Sequence, residues 1–302
     1  MSATSPKQRK PSWLKVKLPT GERQERFARI KSRARELKLS TVCEEAQCPN
    51  IGECWGGGTA TFMVMGSICT RGCRFCAVNT RRNGLPLDPN EPMNVALAIS
   101  EMELDYVVVT SVDRDDLPDA GAQHFASCIE QIHAFNPKTM VEVLIPDFSG
   151  KEDLVKIVVE AEPEVLAHNV ECIERLTRTV RDPRAGYKQS LDVLENAKKQ
   201  GAQFTKSSIM VGIGEERDEV LASMQDLRDV GVDFLTVGQY LRPSEKHLKL
   251  QRFVHPDEFE AYEKAGLEMG FTYVASGPLV RSSYKAGEFF IHQFLQAQKA
   301  RS

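Results

Sequence analysis

Six of the eight cysteines in this 302-residue chain fall between positions 43 and 76, in two triplets of different spacing. Cys43, Cys48 and Cys54 make a C-x4-C-x5-C. Cys69, Cys73 and Cys76 make a C-x3-C-x2-C inside GSICTRGCRFC. Thiolates are soft ligands suited to zinc and to iron–sulfur clusters. Each triplet supplies one thiolate fewer than a closed tetrahedral site takes. A [4Fe–4S] cube held by three thiolates leaves one iron open to a small molecule. Structural zinc is the competing reading for the second triplet, but it wants a fourth ligand close by, and no histidine lies near that loop. A ferredoxin-type carrier ligates each cluster with four cysteines, and six clustered cysteines cannot do that twice. Cys128, beside Ile129 in a helical stretch, reads as a small core residue. Cys172 has no partner cysteines, and the six histidines form no metal or triad pattern.

Composition sets the frame for this chemistry. The chain is 41% hydrophobic and 27% charged, has no run of eighteen apolar residues, and begins with MSATSPKQRKPSW, which lacks a signal-peptide core. No membrane or nucleic-acid partner is expected. Clustered thiols in so large a chain point to a reducing compartment, and cytoplasmic placement is the expectation. Net charge is −3, but residues 1–38 carry twelve Lys/Arg against three Asp/Glu. Such an arm is either a solvated helix face or a docking surface for an anionic partner.

The elements that must position the cysteines follow from periodicity. Phe27, Ile30, Ala34 and Leu37 put an apolar stripe on a basic helix over 22–38. Pro49, Gly52 and Gly56–Gly58 mark the first triplet as loop. Strands are predicted over 61–66, 106–112, 140–146, 164–171, 204–212 and 234–240. Helices are predicted over 92–103, 121–135, 151–162, 187–200, 216–230 and 256–269. Repeated βα units of this length imply parallel strands with helices outside. The second triplet lies in the loop after the first strand. Polar residues gather at later strand ends: Thr110 and Ser111, Asn169 and Glu171, Gln239. Such folds bind ligands at that rim. Arg71, Gly72 and Arg74 are read as keeping the cysteine loop tight and cationic, and Phe75 as shielding one face. Asp113, Arg114, Asp115 and Asp116 read as an ion-pair loop. The tail carries Gly277-Pro278, then Arg281-Ser282-Ser283-Tyr284, and a final helix is predicted over 286–300.

C-x3-C-x-(aromatic)-C after a first strand resembles the radical S-adenosylmethionine superfamily. That resemblance implies an α/β fold, a partial (β/α)6 barrel. It also implies a [4Fe–4S] cluster on Cys69, Cys73 and Cys76, whose open iron binds S-adenosylmethionine and cleaves it to a hydrogen-abstracting radical. SIMVGIGE (208–215) matches the superfamily's G-x-I-x-G-x-x-E pattern at Gly212 and Glu215. Thr110, Ser111, Asn169, Glu171 and Gly212 are the implied cofactor contacts, although TSVDRDD stands where a Gly-Gly-Glu is usual.

With the N-terminal triplet, TSVDRDDLPDAGA, HNVE, KSSIMVGIGE, GQYLRPS and RSSY, the chain is similar to the lipoyl synthase family over nearly its whole length. The family implies a second, auxiliary [4Fe–4S] cluster on Cys43, Cys48 and Cys54, with Ser283 as fourth ligand and Ser282 as its competitor. It implies two sulfur insertions, at C6 and C8 of a protein-bound octanoyl-lysine, with the auxiliary cluster as donor. Octanoylated lipoyl carrier domains, an electron donor and a cluster-rebuilding protein are the implied partners. Residues 1–58 are expected as an N-terminal extension, 59–271 as the barrel and 272–302 as a C-terminal extension, the two extensions together holding the auxiliary cluster. A methylthiotransferase would add a further binding module after the barrel, and a biotin-synthase-like enzyme would lack this N-terminal triplet.

Overall fold

The computed structural model describes residues 9–15, 20–36, 40–41, 44, 48, 50–56, 59–104 and 106–283. Cys43, Tyr284 and the helix expected over 286–300 lie outside the described residues. The chain enters through helix α1 (Glu22–Glu36), strand β1 (Ser40–Thr41) and helix α2 (Ile51–Gly56). Strand β2 (Ala60–Val64) opens the βα series. A separate parallel pair, β3 (Ile68–Cys69) and β4 (Asn79–Thr80), brackets the loop after it. The series continues as α3 (Glu91–Glu101), β5 (Tyr106–Ser111), α4 (Ala122–Phe135), β6 (Met140–Leu144), α5 (Glu152–Glu160) and β7 (Val165–Ala167). After β7 come α6 (Thr177–Val180), α7 (Tyr187–Lys199), β8 (Phe204–Val211), α8 (Arg217–Asp229), β9 (Phe234–Gln239), α9 (Pro256–Glu268) and β10 (Tyr273–Gly277).

One sheet joins them in the order β1-β2-β5-β6-β7-β8-β9-β10, parallel throughout except that β1 is antiparallel to β2. This is a partial barrel with one parallel strand more than the six expected. Tyr273–Gly277, read from sequence as tail, pairs along its whole length with β9. The fourth strand is shorter than predicted: it stops at Ala167, and Asn169 to Glu171 leave it as loop, held to β8 by a Glu171–Ile209 bridge and by Val170 N donating to Ser207 Oγ at 3.3 Å.

Side chains alternate across each strand. On β5, Val107 and Val109 face outward to the helices and join a core with Val95, Ile99, Phe125 and Ile129. Tyr106 and Val108 face inward and meet Met140, Val165, Phe204 and Phe234, which fill the bottom of the barrel. Phe204 and Phe234 stack there with ring centroids 5.3 Å apart. Inside the barrel a buried Lys206 ammonium donates to both Glu142 oxygens at 2.8 Å, and the Tyr106 hydroxyl donates to the same carboxylate at 2.6 Å. Burying that charge pair is tolerable because each partner's charge is met and its hydrogen bonds are made. The inward residues further up, Met63, Thr110, Leu144, Ser208, Met210 and Gly238, line a cavity at the C-terminal end of the sheet.

The N-terminal extension packs on this frame. Phe27 of α1 lies against the buried Trp55 of α2, with ring centroids 5.4 Å apart. Arg33 donates to Glu101 at 2.6 Å, and Arg26 to the carbonyl of Glu103 at 3.4 Å. Part of the arm's positive charge therefore serves to seat α1 on the barrel.

Candidate functional site

The C-x3-C-x2-C loop is gripped from both sides. Arg71, two residues after Cys69, is 4% exposed and turns its guanidinium away from the thiols onto carboxylates of two later loops. It donates from Nη2 to Asp115 at 2.7 Å and from Nη1 to Asp147 at 2.6 Å, and Asp113 lies 3.5 Å from its Nε. Burial works against its charge, but the bonds to Asp115 and Asp147 outweigh that and hold it protonated. Arg71 thus pins the loop tight, as expected from sequence, while its charge is met by these carboxylates. On the other side Asp182 accepts from Gly72 N at 2.8 Å, and Arg184 donates to the Thr70 carbonyl at 2.7 Å.

Backbone amides point at the sulfurs. Arg71 N and Asp113 N lie 3.4 Å from Cys69 Sγ, and Asp182 N lies 3.3 Å from Cys73 Sγ. Burial pushes the Cys69 and Cys73 thiols up to about 12, and raises Cys76 as well. As free thiols they stay protonated, so it takes a bound metal to draw out the thiolates. Among the described residues no three His, Cys, Asp or Glu side chains converge on one ion position. Ligands of a cube need not converge, since each binds a different iron.

The strand-end residues separate into two groups. Thr110, Ser111, Asn169 and Glu171 all line the cavity that Cys69, Cys73 and Cys76 line. Thr110 Oγ1 is committed to the Leu144 carbonyl at 2.9 Å. Ser111 Oγ and Asn169 Oδ1 are buried with no hydrogen-bond partner among the described residues. Asn169 Nδ2 donates to Glu171 at 3.1 Å, and Glu171 sits at φ 67°, a left-handed backbone uncommon for a non-glycine residue. Gly212 is not among the lining residues. Its amide donates to Glu215 at 2.6 Å, its φ is 95°, and a Cβ there would strike the Gln239 side-chain amide. Gly212 is therefore a turn residue rather than a cofactor contact. Gln239 is likewise a pin: its amide donates to the Tyr240 carbonyl at 3.0 Å and accepts from Val254 N at 2.7 Å, fixing the loop after β9.

Sequence reasoning missed Arg181. Its buried guanidinium lines the cavity and donates to Ser190 Oγ at 2.7 Å, and its Nε has no partner among the described residues. Ser190 is in turn 2.9 Å from His168 Nε2, while His168 Nδ1 lies 2.9 Å from the Ile145 carbonyl. Burial, then Arg181, lower His168 to about 4, so it is neutral and a fixed prop. No local signal in the sequence joins residues 168, 181 and 190; only the fold does.

The two ends of the chain meet at the same cavity. Cys48 of the first triplet lines it, as do Arg281, Ser282 and Ser283. Cys54 is buried on α2 and is not among the lining residues. Asn50 Nδ2 donates to the Leu279 carbonyl at 2.6 Å across 229 positions of sequence. Gly238 allows the close approach on the other side, because a Cβ there would run into the Val280 carbonyl. Arg281 is anchored by the Val280 and Gln239 carbonyls at 2.6 and 3.2 Å, and its buried Nη2 has no partner among the described residues.

The cavity measures about 520 Å3, and its walls combine these polar groups with Met63, Val112, Leu144 and Met210. Its donor set fits the groups the sequence implies. Three thiols lie on one loop. Another thiol, Cys48, lines the same cavity as Ser282 and Ser283, and Ser111 Oγ, Asn169 Oδ1 and Arg281 Nη2 are polar atoms that lack partners among the described residues.

Comparison with known proteins places this geometry. The model of the radical SAM superfamily matches residues 63–227. Among solved structures, the [FeFe]-hydrogenase maturase HydG superposes with a TM-score of 0.57 over 83% of this chain and 62% of its own, at 15% identity. Methylornithine synthase superposes with a TM-score of 0.51 over 86% and 82%, at 14% identity. The fold and the cysteine loop are those of a radical S-adenosylmethionine enzyme. The model of the N-terminal domain of lipoyl synthase matches residues 2–48. The lipoyl synthase of Myxococcus xanthus is 58% identical over 96% of this chain and 97% of its own. The chloroplastic lipoyl synthase of Chlamydomonas reinhardtii is 55% identical over 98% and 69%, and the mitochondrial one of Aedes aegypti 56% identical over 95% and 74%. The chain belongs to the lipoyl synthase family, a family of radical enzymes that use S-adenosylmethionine and [4Fe–4S] clusters. Among the described residues no helix is long and apolar enough to cross a membrane.

Removing the pin should release the loop. Arg71→Met leaves the buried Asp147 without its cation and Asp115 with Arg184 alone, at a cost of about 3–5 kcal/mol. Denaturant titration of the metal-free chain reads that loss. Iron content after reconstitution should fall by about half, one cube of two. Unchanged stability and iron content would show that other cations, such as Arg184, suffice.

Proposed function

We propose that this chain completes the lipoyl group by directing two sulfur atoms to C6 and C8 of an octanoyl chain borne on a lysine of a lipoyl carrier domain. The observation that carries this reading is the shared cavity. The second triplet, Cys48 of the first, and Ser282 and Ser283 from the far end of the chain all line one space. In this reading Cys69, Cys73 and Cys76 hold one [4Fe–4S] cluster, and Cys43, Cys48, Cys54 and Ser283 hold the other. When bound, the first with S-adenosylmethionine supplies a hydrogen-abstracting radical and the second supplies sulfur.

The chain's own residues bind and orient. Ser111 and Asn169 present to the cofactor polar atoms that are unpartnered among the described residues, Thr110 and Glu171 flank them, and Arg181 sets its fixed cation against the cofactor carboxylate. Met63, Leu144 and Met210 give the aliphatic chain an apolar wall and keep water from the reacting carbons. Ser283, a harder oxygen ligand among thiolates, is the one suited to let go. Arg281, two residues away with Nη2 unpartnered, neutralises the hydroxyl's oxygen when it carries charge. An electron donor and a cluster-rebuilding protein complete the cycle. The cytoplasm is our reading of the compartment, because buried thiol ligands need a reducing one.

Three measurements test this. After anaerobic reconstitution, mass spectrometry of an octanoylated carrier peptide should show gain of two sulfurs and loss of two hydrogens, with 5′-deoxyadenosine released. A carrier that gains no sulfur refutes the function. Ser283→Cys should keep the full iron content but stop short of two sulfurs; normal lipoyl product from that variant would rule out a detachable ligand. Arg181→Met should weaken S-adenosylmethionine binding to the reconstituted enzyme by about tenfold, the worth of one charge-assisted contact. Unaltered affinity in equilibrium dialysis would remove Arg181 from the cofactor site.

A further inference from the structure

Three separate segments bring cations together beside the cavity mouth. Arg74 projects from the cysteine loop, Arg178 from α6, and Arg242, Lys246 and Lys249 from the loop between β9 and α9; all five are exposed. Backbone bonds fix the segments to one another. Arg74 N donates to the Val180 carbonyl at 2.9 Å, Leu248 N donates to the Arg74 carbonyl at 2.8 Å, and Arg74 Nη1 donates to the Thr179 carbonyl at 3.1 Å. Tyr240 braces the loop by donating its hydroxyl to the Leu248 carbonyl at 2.9 Å. Arg242 is both exposed and a wall of the cavity, so the patch borders the opening.

None of the five cations has a carboxylate within ion-pair distance among the described residues. Arg33, Arg175, Arg184 and Arg252 elsewhere on the molecule do. In a chain of net charge −3, a rim with five exposed cations against one exposed carboxylate in the same loop, Glu245, carries a clear positive excess. Mutual repulsion of these groups is a standing cost, relieved when an anionic surface covers them.

We propose that this rim, rather than the basic arm of residues 1–38, is the docking surface for the protein that delivers the acyl chain, and that it selects an acidic face around the modified lysine. The proposal rests on the reading that the acyl chain is protein-borne. An acyl chain threaded into the cavity brings its carrier's surface against whatever surrounds the mouth, and here that is cationic. Complementary charge steers such an encounter and fixes its orientation. The arm is the weaker candidate because Arg26 and Arg33 are engaged with the barrel and, of its described cations, Lys10 alone reaches the cavity wall.

The test uses reconstituted holoenzyme and an octanoylated carrier domain, with affinity measured between 50 and 300 mM salt, a range of roughly that span being enough to vary screening. The triple variant Arg178→Glu/Lys246→Glu/Lys249→Glu should weaken carrier binding about tenfold at low salt and flatten its salt dependence. Arg29→Glu, an exposed change on α1, should leave the affinity alone. Wild-type affinity and salt dependence in the triple variant would overturn the docking surface while leaving sulfur insertion by the wild-type enzyme standing. So would an equal loss in Arg29→Glu. If the wild-type enzyme neither binds nor modifies the carrier, the functional reading itself falls, and this proposal with it. The same variants are assayed against a single-stranded oligonucleotide and phosphatidylserine-containing vesicles. Binding to either that the triple variant loses, with carrier affinity unmoved, would assign the rim to that partner instead.

Discussion

A single buried guanidinium fixes where the cysteine loop sits. Arg71 is locked by Asp115 and Asp147, with Asp113 close by, and these carboxylates come from the loops after the second and third barrel strands. Cys69 and Cys73 lie two residues to either side. The position of the thiols is thereby tied to the strands whose ends line the cavity, not to the flexibility of a surface loop. Burying a charge is costly, and one removed partner would leave the rest uncompensated. That severity makes the arrangement specific, since few other placements of the loop meet all these charges at once.

Much of the architecture was legible because it follows from periodicity. The helices at 187–199, 217–229 and 256–268 and the strands at 106–111 and 234–239 match the predicted spans within a few residues. Their apolar patterns are long enough to signal themselves. The misses have local causes. Tyr273–Gly277 is short, rich in small residues and followed by proline, so nothing marks it as a strand until β9 offers a parallel edge. Helix α2 reads as loop in the sequence because Pro49 precedes it and Gly52 and Gly56 lie within it; packing of Trp55 on Phe27 supplies what its propensity lacks.

The site was legible in a different way. Cysteine spacing and the short polar strand ends point to four thiols and five polar residues that line the cavity, because those signals lie within a few positions of one another. Arg181, His168 and Ser190 gave no signal, since each type is ordinary in its own segment and only the fold joins them. Gly212 carries two signals at once: the motif points to a cofactor contact, while its positive φ and the crowding by Gln239 account for a glycine there without a ligand. Glycine reports on the backbone first and on ligands only by way of it.

The hydrogen bond between Asn50 and Leu279 has a further bearing, on the order in which the molecule is made. Contacts this distant in sequence form late, after the loop they close has been ordered. During synthesis the barrel strands emerge and can pair while residues 279–283 are still unmade. The wall that Val280, Arg281 and the two serines supply beside Cys48 is thus a tertiary product, joined across most of the barrel's length in sequence rather than by any local pairing.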